Sequence, residues 1–279
     1  MTYDTLISVP QLRELLQAGK KLVLLDASFD LMDPSAGERA YGGAHLPDAR
    51  HAHLDRDLSA EKTGLNGRHP MPTREAFAKT VGTWGIDEHT QVVAYDRQGA
   101  MYAARVWWML RWLGHTAVAL LDGGFQAWQK AGGEVQTSIP EVKALPPYPL
   151  KPSLVPSMDG DTLASQLGKV RLIDARAAER FRGEVEPIDK QAGHIPGALN
   201  RFFKDNLDAE GRFKPAEQLR AEWSPFLAGD LPVVQQCGSG ATACHNIFAM
   251  QLAGLGTSTL YPGSWSEWSA NPARPIAKG

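Results

Sequence analysis

Cysteine is scarce in this chain: only Cys237 and Cys244 occur among 279 residues, too few for a disulfide framework. The pair is also poorly placed for a bridge. On or beside one helix, a seven-residue separation spreads the two Cα atoms by about 10 Å at the usual rise, beyond the roughly 7 Å that a disulfide spans. A reducing compartment suits such a chain. Long apolar runs are missing too, with no stretch of about 18 apolar residues to suggest a membrane-crossing helix. The opening MTYDTLISVPQLRELLQAG lacks the basic stretch and apolar core of a secretory leader, so the expected location is cytoplasmic. Charge of one sign is absent as well: a formal net charge of -2 gives no footprint for nucleic acid or an anionic membrane. Gly123-Gly124 and Gly132-Gly133 read as turns and make no dinucleotide fingerprint. His51-Ala52-His53 has neither a thiolate nor a third ligand beside it, so no metal site is expected, and no cofactor is called for.

What the chain does have is an internal repeat. Leu22-Val23-Leu24-Leu25-Asp26-Ala27 matches Val170-Arg171-Leu172-Ile173-Asp174-Ala175, and Ala44-His45-Leu46-Pro47 matches Gly193-His194-Ile195-Pro196. Further on, Asp122-Gly123-Gly124-Phe125-Gln126-Ala127-Trp128 matches Pro262-Gly263-Ser264-Trp265-Ser266-Glu267-Trp268. Two halves follow one plan, and a length of 279 residues leaves each enough chain for its own core. Between them the proline-rich IPEVKALPPYPLKPSLVP has neither hydrophobic period and reads as an extended linker. The expected division is a first domain over 1–139, a linker over 140–157 and a second domain over 158–279.

Apolar runs such as Gln91–Tyr95 and Pro232–Val234 read as buried strands, each followed by a helical pattern. In the first half Ala103, Val106, Leu110 and Leu113 share one helix face; in the second Ala243, Ile247 and Met250 do. Alternating strands and helices predict an α/β fold, two tandem domains each with a mainly parallel sheet flanked by helices. Ligands in such sheets bind beyond the carboxyl ends of the strands. There the second half carries Cys237-Gly238-Ser239-Gly240-Ala241-Thr242, a small-residue loop leading into a helix. Glycines let a loop curl with its N–H groups inward, and a helix start adds partial positive charge, a setting that favours a thiolate or another anion. A lone cysteine is more commonly a small core residue, which is the reading for Cys244, but packing does not need a Gly-x-Gly loop at a strand end. In the first half the equivalent loop is Asp96-Arg97-Gln98-Gly99-Ala100. Aspartate there offers no thiolate, so that half is expected to be catalytically silent.

These features resemble the tandem-domain rhodaneses and, within them, the 3-mercaptopyruvate sulfurtransferases. The resemblance rests on the repeat, the silent first loop, CGSGATA from Cys237, RFRGEVEP from Arg180 to Pro187 and GSWSEW from Gly263 to Trp268. It implies an enzyme that moves sulfur from 3-mercaptopyruvate to a thiol or cyanide through a persulfide on Cys237. The alternatives are a thiosulfate:cyanide sulfurtransferase, or a persulfide carrier or regulatory module. It implies as partners a small-molecule sulfur donor and a thiol acceptor such as thioredoxin or a small thiol, with no nucleic acid and no membrane. It also implies that the loop residues Gly238, Gly240, Ala241 and Thr242 line the substrate and that Arg180 grips its carboxylate. A strict count for the family's aspartate falls on His53, with Asp55 the nearest carboxylate; the family's histidine falls on His69. Together with Ser239 these would form a relay in which Asp55 orients His69 and Ser239 shuttles a proton. The chain departs from the pattern after Glu186-Pro187, where many relatives carry a second arginine; Lys190 or Arg182 is the expected substitute.

Overall fold

A computed structural model describes residues 2–279 and divides them into two compact units. Unit one comprises residues up to Ser59, then Pro72–Leu154 and Ala209–Arg212. Unit two takes Ala60–Met71, Val155–Asp208 and Phe213–Gly279. The excursion from Ala60 to Met71, which lies inside the first half of the sequence, thus belongs to the second unit.

Unit one runs β1 (Leu6–Ile7), α1 (Val9–Gln17), β2 (Leu22–Asp26), α2 (Ala36–Gly43), β3 (Arg50–His51), α3 (Arg74–Thr83), β4 (Gln91–Tyr95), α4 (Ala103–Trp112), β5 (Val118–Leu121) and α5 (Gly124–Lys130). Its strands form one parallel sheet in the order β1-β5-β4-β2-β3. Unit two runs α6 (Gly160–Ser165), β6 (Arg171–Asp174), α7 (Ala178–Phe181), β7 (Leu199–Asn200), α8 (Ala216–Trp223), β8 (Val233–Gln236), α9 (Ala241–Leu252), β9 (Thr259–Leu260) and α10 (Ser264–Trp268). Its sheet is also parallel, in the order β7-β6-β8-β9. No helix among the described residues is long and apolar enough to cross a membrane.

The central strands are the apolar runs of the sequence, and β4 is buried at every residue, as a parallel strand covered on both faces must be. The helices after the central strands depart from the one-faced pattern. Every residue of α4 from Ala103 to Leu110 is buried, as is every residue of α9 from Ala241 to Met250. A helix buried on all sides belongs inside its domain, which fixes the loop at its N-terminus from every direction.

The repeated histidines are structural. His45 stacks on Tyr41 at 4.0 Å and places Nδ1 2.7 Å from the Tyr41 carbonyl. His194 does the same with Phe181, at 3.9 and 2.8 Å. The proline-rich stretch is pinned along unit one, its Leu145, Tyr148, Lys151 and Leu154 N–H groups donating to the carbonyls of Gly82, Ala78, Leu113 and Arg111.

Candidate active site

The parallel pairing of β6 with β8 runs to Asp174 and Gln236, so Cys237 leaves the carboxyl end of a central strand. Its side chain is buried, at 2% exposure, and Sγ accepts the Gly240 N–H at 3.1 Å. Gly240, with φ 82°, turns the chain into α9. The loop is held from behind by the start of α10: Ser264 Oγ accepts the Cys237 N–H at 3.1 Å, the Trp265 N–H donates to the Cys237 carbonyl at 2.9 Å, and the Ser266 N–H donates to the Gly238 carbonyl at 2.9 Å. Ser264 itself has φ 54°, a left-handed conformation unusual for a residue with a Cβ. Ala241 and Thr242 are buried in the first turn of α9. Cys244 is buried one turn on, its thiol donating to the Gly240 carbonyl at 3.2 Å.

Ser239 and His69 meet. Ser239 Oγ lies 2.7 Å from His69 Nδ1, both side chains buried. His69 arrives on the excursion between Ala60 and Met71, so the pair lies wholly within unit two. Asp55 belongs to unit one, where its backbone N–H donates to the ring of His53 at 3.2 Å. His53, where the strict count falls, has both ring nitrogens engaged: Nδ1 accepts N–H groups of Asp55 and Arg56, and Nε2 faces the Pro34 carbonyl at 3.1 Å. An accepting Nδ1 requires the neutral tautomer. Burial, the largest influence, accordingly pushes the His53 pKa down.

Arg180, from α7, is ion-paired rather than free. Its Nη2 meets Glu186 at 2.7 Å and Asp189 at 3.3 Å. Asp189 also meets Arg68 Nη1 at 2.6 Å. Burial alone would raise both carboxyls. At Glu186 the Arg180 hydrogen bond and the N–H groups of Asp189 and Ile188 outweigh it and hold the group below its ordinary value. At Asp189 burial wins over both arginines, and its pKa is raised. Arg176 puts Nε and Nη2 on the Asp174 oxygens and the Gly193 carbonyl, while its Nη1 lies 3.5 Å from Glu186 Oε2. Neither expected substitute for the second arginine lies in this cluster: Arg182 pairs with Glu184 on the exposed surface, and Lys190 is exposed at the rim of the neighbouring cleft. That cleft, about 500 Å³, is lined by Arg68, Ile188, Asp189, Lys190, Gln191 and Ser266 among others. Sequence reasoning gave Arg68, Asp189 and Ser264 no role, although Arg68 stands next to His69 and Ser264 within the repeated glycine-aromatic motif.

In unit one the matching loop is closed on itself. Asp96 is fully buried, Oδ1 accepting the Gln98 and Ala100 N–H groups and Oδ2 those of Tyr102 and Ala103, all within 3.0 Å. N–H groups that could cradle an anion are thus taken by the protein's own carboxylate.

A buried thiol in a glycine loop at a strand's carboxyl end, with a serine-histidine pair and a guanidinium cluster beside it, defines a cysteine-dependent group-transfer domain of the parallel α/β class. The chain belongs to the rhodanese family: the family described as rhodanese-like domain matches residues 8–131 and 160–271. A Pseudomonas aeruginosa protein named "Probable 3-mercaptopyruvate sulfurtransferase" is 48% identical over 270 residues, covering 92% of this chain and 93% of its own length. The human 3-mercaptopyruvate sulfurtransferase is 38% identical, with 94% of this chain and 91% of that protein covered. The mouse thiosulfate sulfurtransferase is 34% identical, with 99% and 96% covered. Among solved structures, the 3-mercaptopyruvate sulfurtransferase from Leishmania major superposes with a TM-score of 0.86 at 30% identity, over 98% of this chain and 76% of that one.

Proposed function

We propose that the protein transfers sulfur from 3-mercaptopyruvate to a thiol acceptor through a persulfide on Cys237. The observation that carries this reading is the buried Cys237 sulfur facing the Gly240 N–H, beside the Ser239–His69 hydrogen bond. In the first half-reaction the Cys237 thiolate attacks the donor sulfur. The S–S bond forms as the donor's C–S bond breaks, and the electron pair leaves on carbon as the enolate of pyruvate. The donor's thiol proton passes through Ser239 to His69 and returns to that carbon, giving pyruvate and a Cys237 persulfide. Gly238, Gly240, Ala241 and Thr242 line the loop that holds it, its inward N–H groups stabilising the negative sulfur. Asp55 keeps the role the resemblance gives it, orienting His69, and Arg180 receives the donor's carboxylate. In the second half-reaction the acceptor thiolate takes the outer sulfur and regenerates the Cys237 thiolate; thioredoxin, a small thiol or, in the laboratory, cyanide serves. Two free cysteines suit a reducing compartment, the cytoplasm.

The test is kcat/KM for 3-mercaptopyruvate and for thiosulfate, with cyanide as common acceptor, in the parent protein and in Cys237→Ser. A preference for mercaptopyruvate that vanishes in the variant is expected. A preference for thiosulfate would keep the nucleophile and overturn the donor, and no turnover with either would leave a persulfide carrier.

A further inference from the structure

In the functional reading a proton passes through Ser239 to His69, yet the two residues come from separate stretches of chain and each needs its own hold. Ser239 sits in the cysteine loop, where the preceding carbonyl, that of Gly238, accepts the Ser266 N–H at 2.9 Å. His69 rides on the excursion from Ala60 to Met71, and the peptide N–H one residue before it, that of Arg68, donates to Ser266 Oγ at 2.9 Å. One residue of α10 thus bonds the backbone next to both members of the pair, its N–H on the loop and its hydroxyl on the excursion. The hydroxyl proton is directed to the Gly263 carbonyl at 3.3 Å, which leaves the oxygen's lone pairs to accept from Arg68. The excursion comes this close because position 67 has no side chain: a Cβ built there, on a backbone with φ 86°, would lie 3.1 Å from the Gly263 carbonyl oxygen and 3.2 Å from Ser266 Oγ. All of these residues lie in unit two.

In the first copy of the repeat the same position works differently. Gln126 stands where Ser266 does, and its Nε2 donates to the Arg97 carbonyl at 2.9 Å, the carbonyl equivalent to that of Gly238. There the side chain holds the loop. In unit two the backbone N–H holds it, and the side chain is released to hold the excursion. We infer that Ser266 is a positioning residue, the staple that keeps His69 in register with Ser239 for proton transfer. Its role rests on the relay in the functional reading above. Proton transfer needs heavy atoms within hydrogen-bond reach, about 2.6–3.2 Å, so slack in either backbone would lengthen the 2.7 Å contact between Ser239 and His69.

Ser266→Ala removes the hydroxyl and keeps the backbone N–H, so it frees the excursion while the loop stays held. Gly67→Ala reaches the same end from the other side, by pushing the excursion off α10. Two readouts follow both variants. The first is the His69 ring nitrogen spectrum by NMR, which needs no turnover; the resonance is assigned by its loss in His69→Gln, and Ser239→Ala marks where it falls once the serine partner is gone. The second is kcat for 3-mercaptopyruvate, with cyanide as acceptor, in the parent and in a His69→Gln background. One net hydrogen bond corresponds to about three- to tenfold. Both variants are expected to move the His69 Nδ1 resonance toward its Ser239→Ala position and to leave the His194 ring unmoved. They should lower kcat by that factor in the parent but by less than about twofold in the His69→Gln background, the non-additivity of residues that act through one another. An unmoved His69 ring, or equal slowing in the two backgrounds, would overturn the inference. A moved ring with kcat unchanged would instead leave the staple standing and sink the relay.

Discussion

Replacing Ser264 by glycine and by alanine separates the backbone strain at this residue from its hydrogen bonds. Ser264 is fully buried with φ 54°, and its hydroxyl donates to the Tyr261 carbonyl at 2.9 Å while accepting the Cys237 N–H at 3.1 Å. Both variants lose the hydroxyl, so that loss cancels between them. A left-handed conformation costs a residue with a Cβ about 1–2 kcal/mol. Glycine escapes that cost but brings about 0.4–1 kcal/mol of extra freedom to the unfolded chain. Ser264→Gly should therefore be more stable than Ser264→Ala by about 0.5–1 kcal/mol, reversing the usual order of the two residues. Both should fall below the parent, because a buried N–H left unpaired at Cys237 costs about 1–3 kcal/mol. Urea unfolding followed by tryptophan fluorescence reads the difference as a shift in midpoint at constant slope. An alanine variant as stable as the glycine variant would refute the strain argument.

Asp96→Asn should destabilise unit one by about 3 kcal/mol in urea unfolding, since the amide NH₂ would face two of the four N–H groups that the carboxylate now accepts. At Glu222 burial alone would raise the carboxyl, but hydrogen bonds from Arg201, Lys214 and Gln218 outweigh it and lower it to about 2. A depressed carboxyl stabilises above its unfolded value of about 4.3 and loses that contribution as pH falls toward 2. Glu222→Gln should therefore cost about 1 kcal/mol at pH 7, after allowance for solvent screening, and nothing near pH 2, as read from melting curves at the two pH values.

Legibility in the sequence followed the range over which each feature is determined. The long central strands declared themselves as apolar runs, because β2, β4, β6 and β8 are determined by burial along their own length. The edge strands Leu6–Ile7, Arg50–His51, Leu199–Asn200 and Thr259–Leu260 are too short to carry a period. α4 and α9 read as one-faced from their spacing, yet alanines and paired polar groups such as Arg105 and Asn206–Asn246 let them be buried all round. The cysteine loop was legible because glycines and a helix start are local. The contact that registers Arg68 to Ser266 spans 198 positions, and no spacing rule reaches that far.

The repeat nonetheless separates architecture from site, because one copy serves as a control for the other. Asp26 and Asp174 end equivalent strands, and each holds an arginine that lies over an equivalent aromatic ring: Arg97 over Phe125 at 4.0 Å, Arg176 over Trp265 at 4.7 Å. The sandwich is the same, but its arginine comes from different places. In unit one it is Arg97, the residue directly after Asp96, so the loop spends its second position on the fold. In unit two Arg176, from the turn after β6, does that work. Position 238 is thereby released to be glycine, and the space over it is open to Arg68 and Arg180. Where two copies of one plan differ in this way, the residue freed from a structural duty marks the place where chemistry is done. By that criterion the second position of the loop, and not the cysteine alone, distinguishes the copy proposed to carry sulfur from its counterpart.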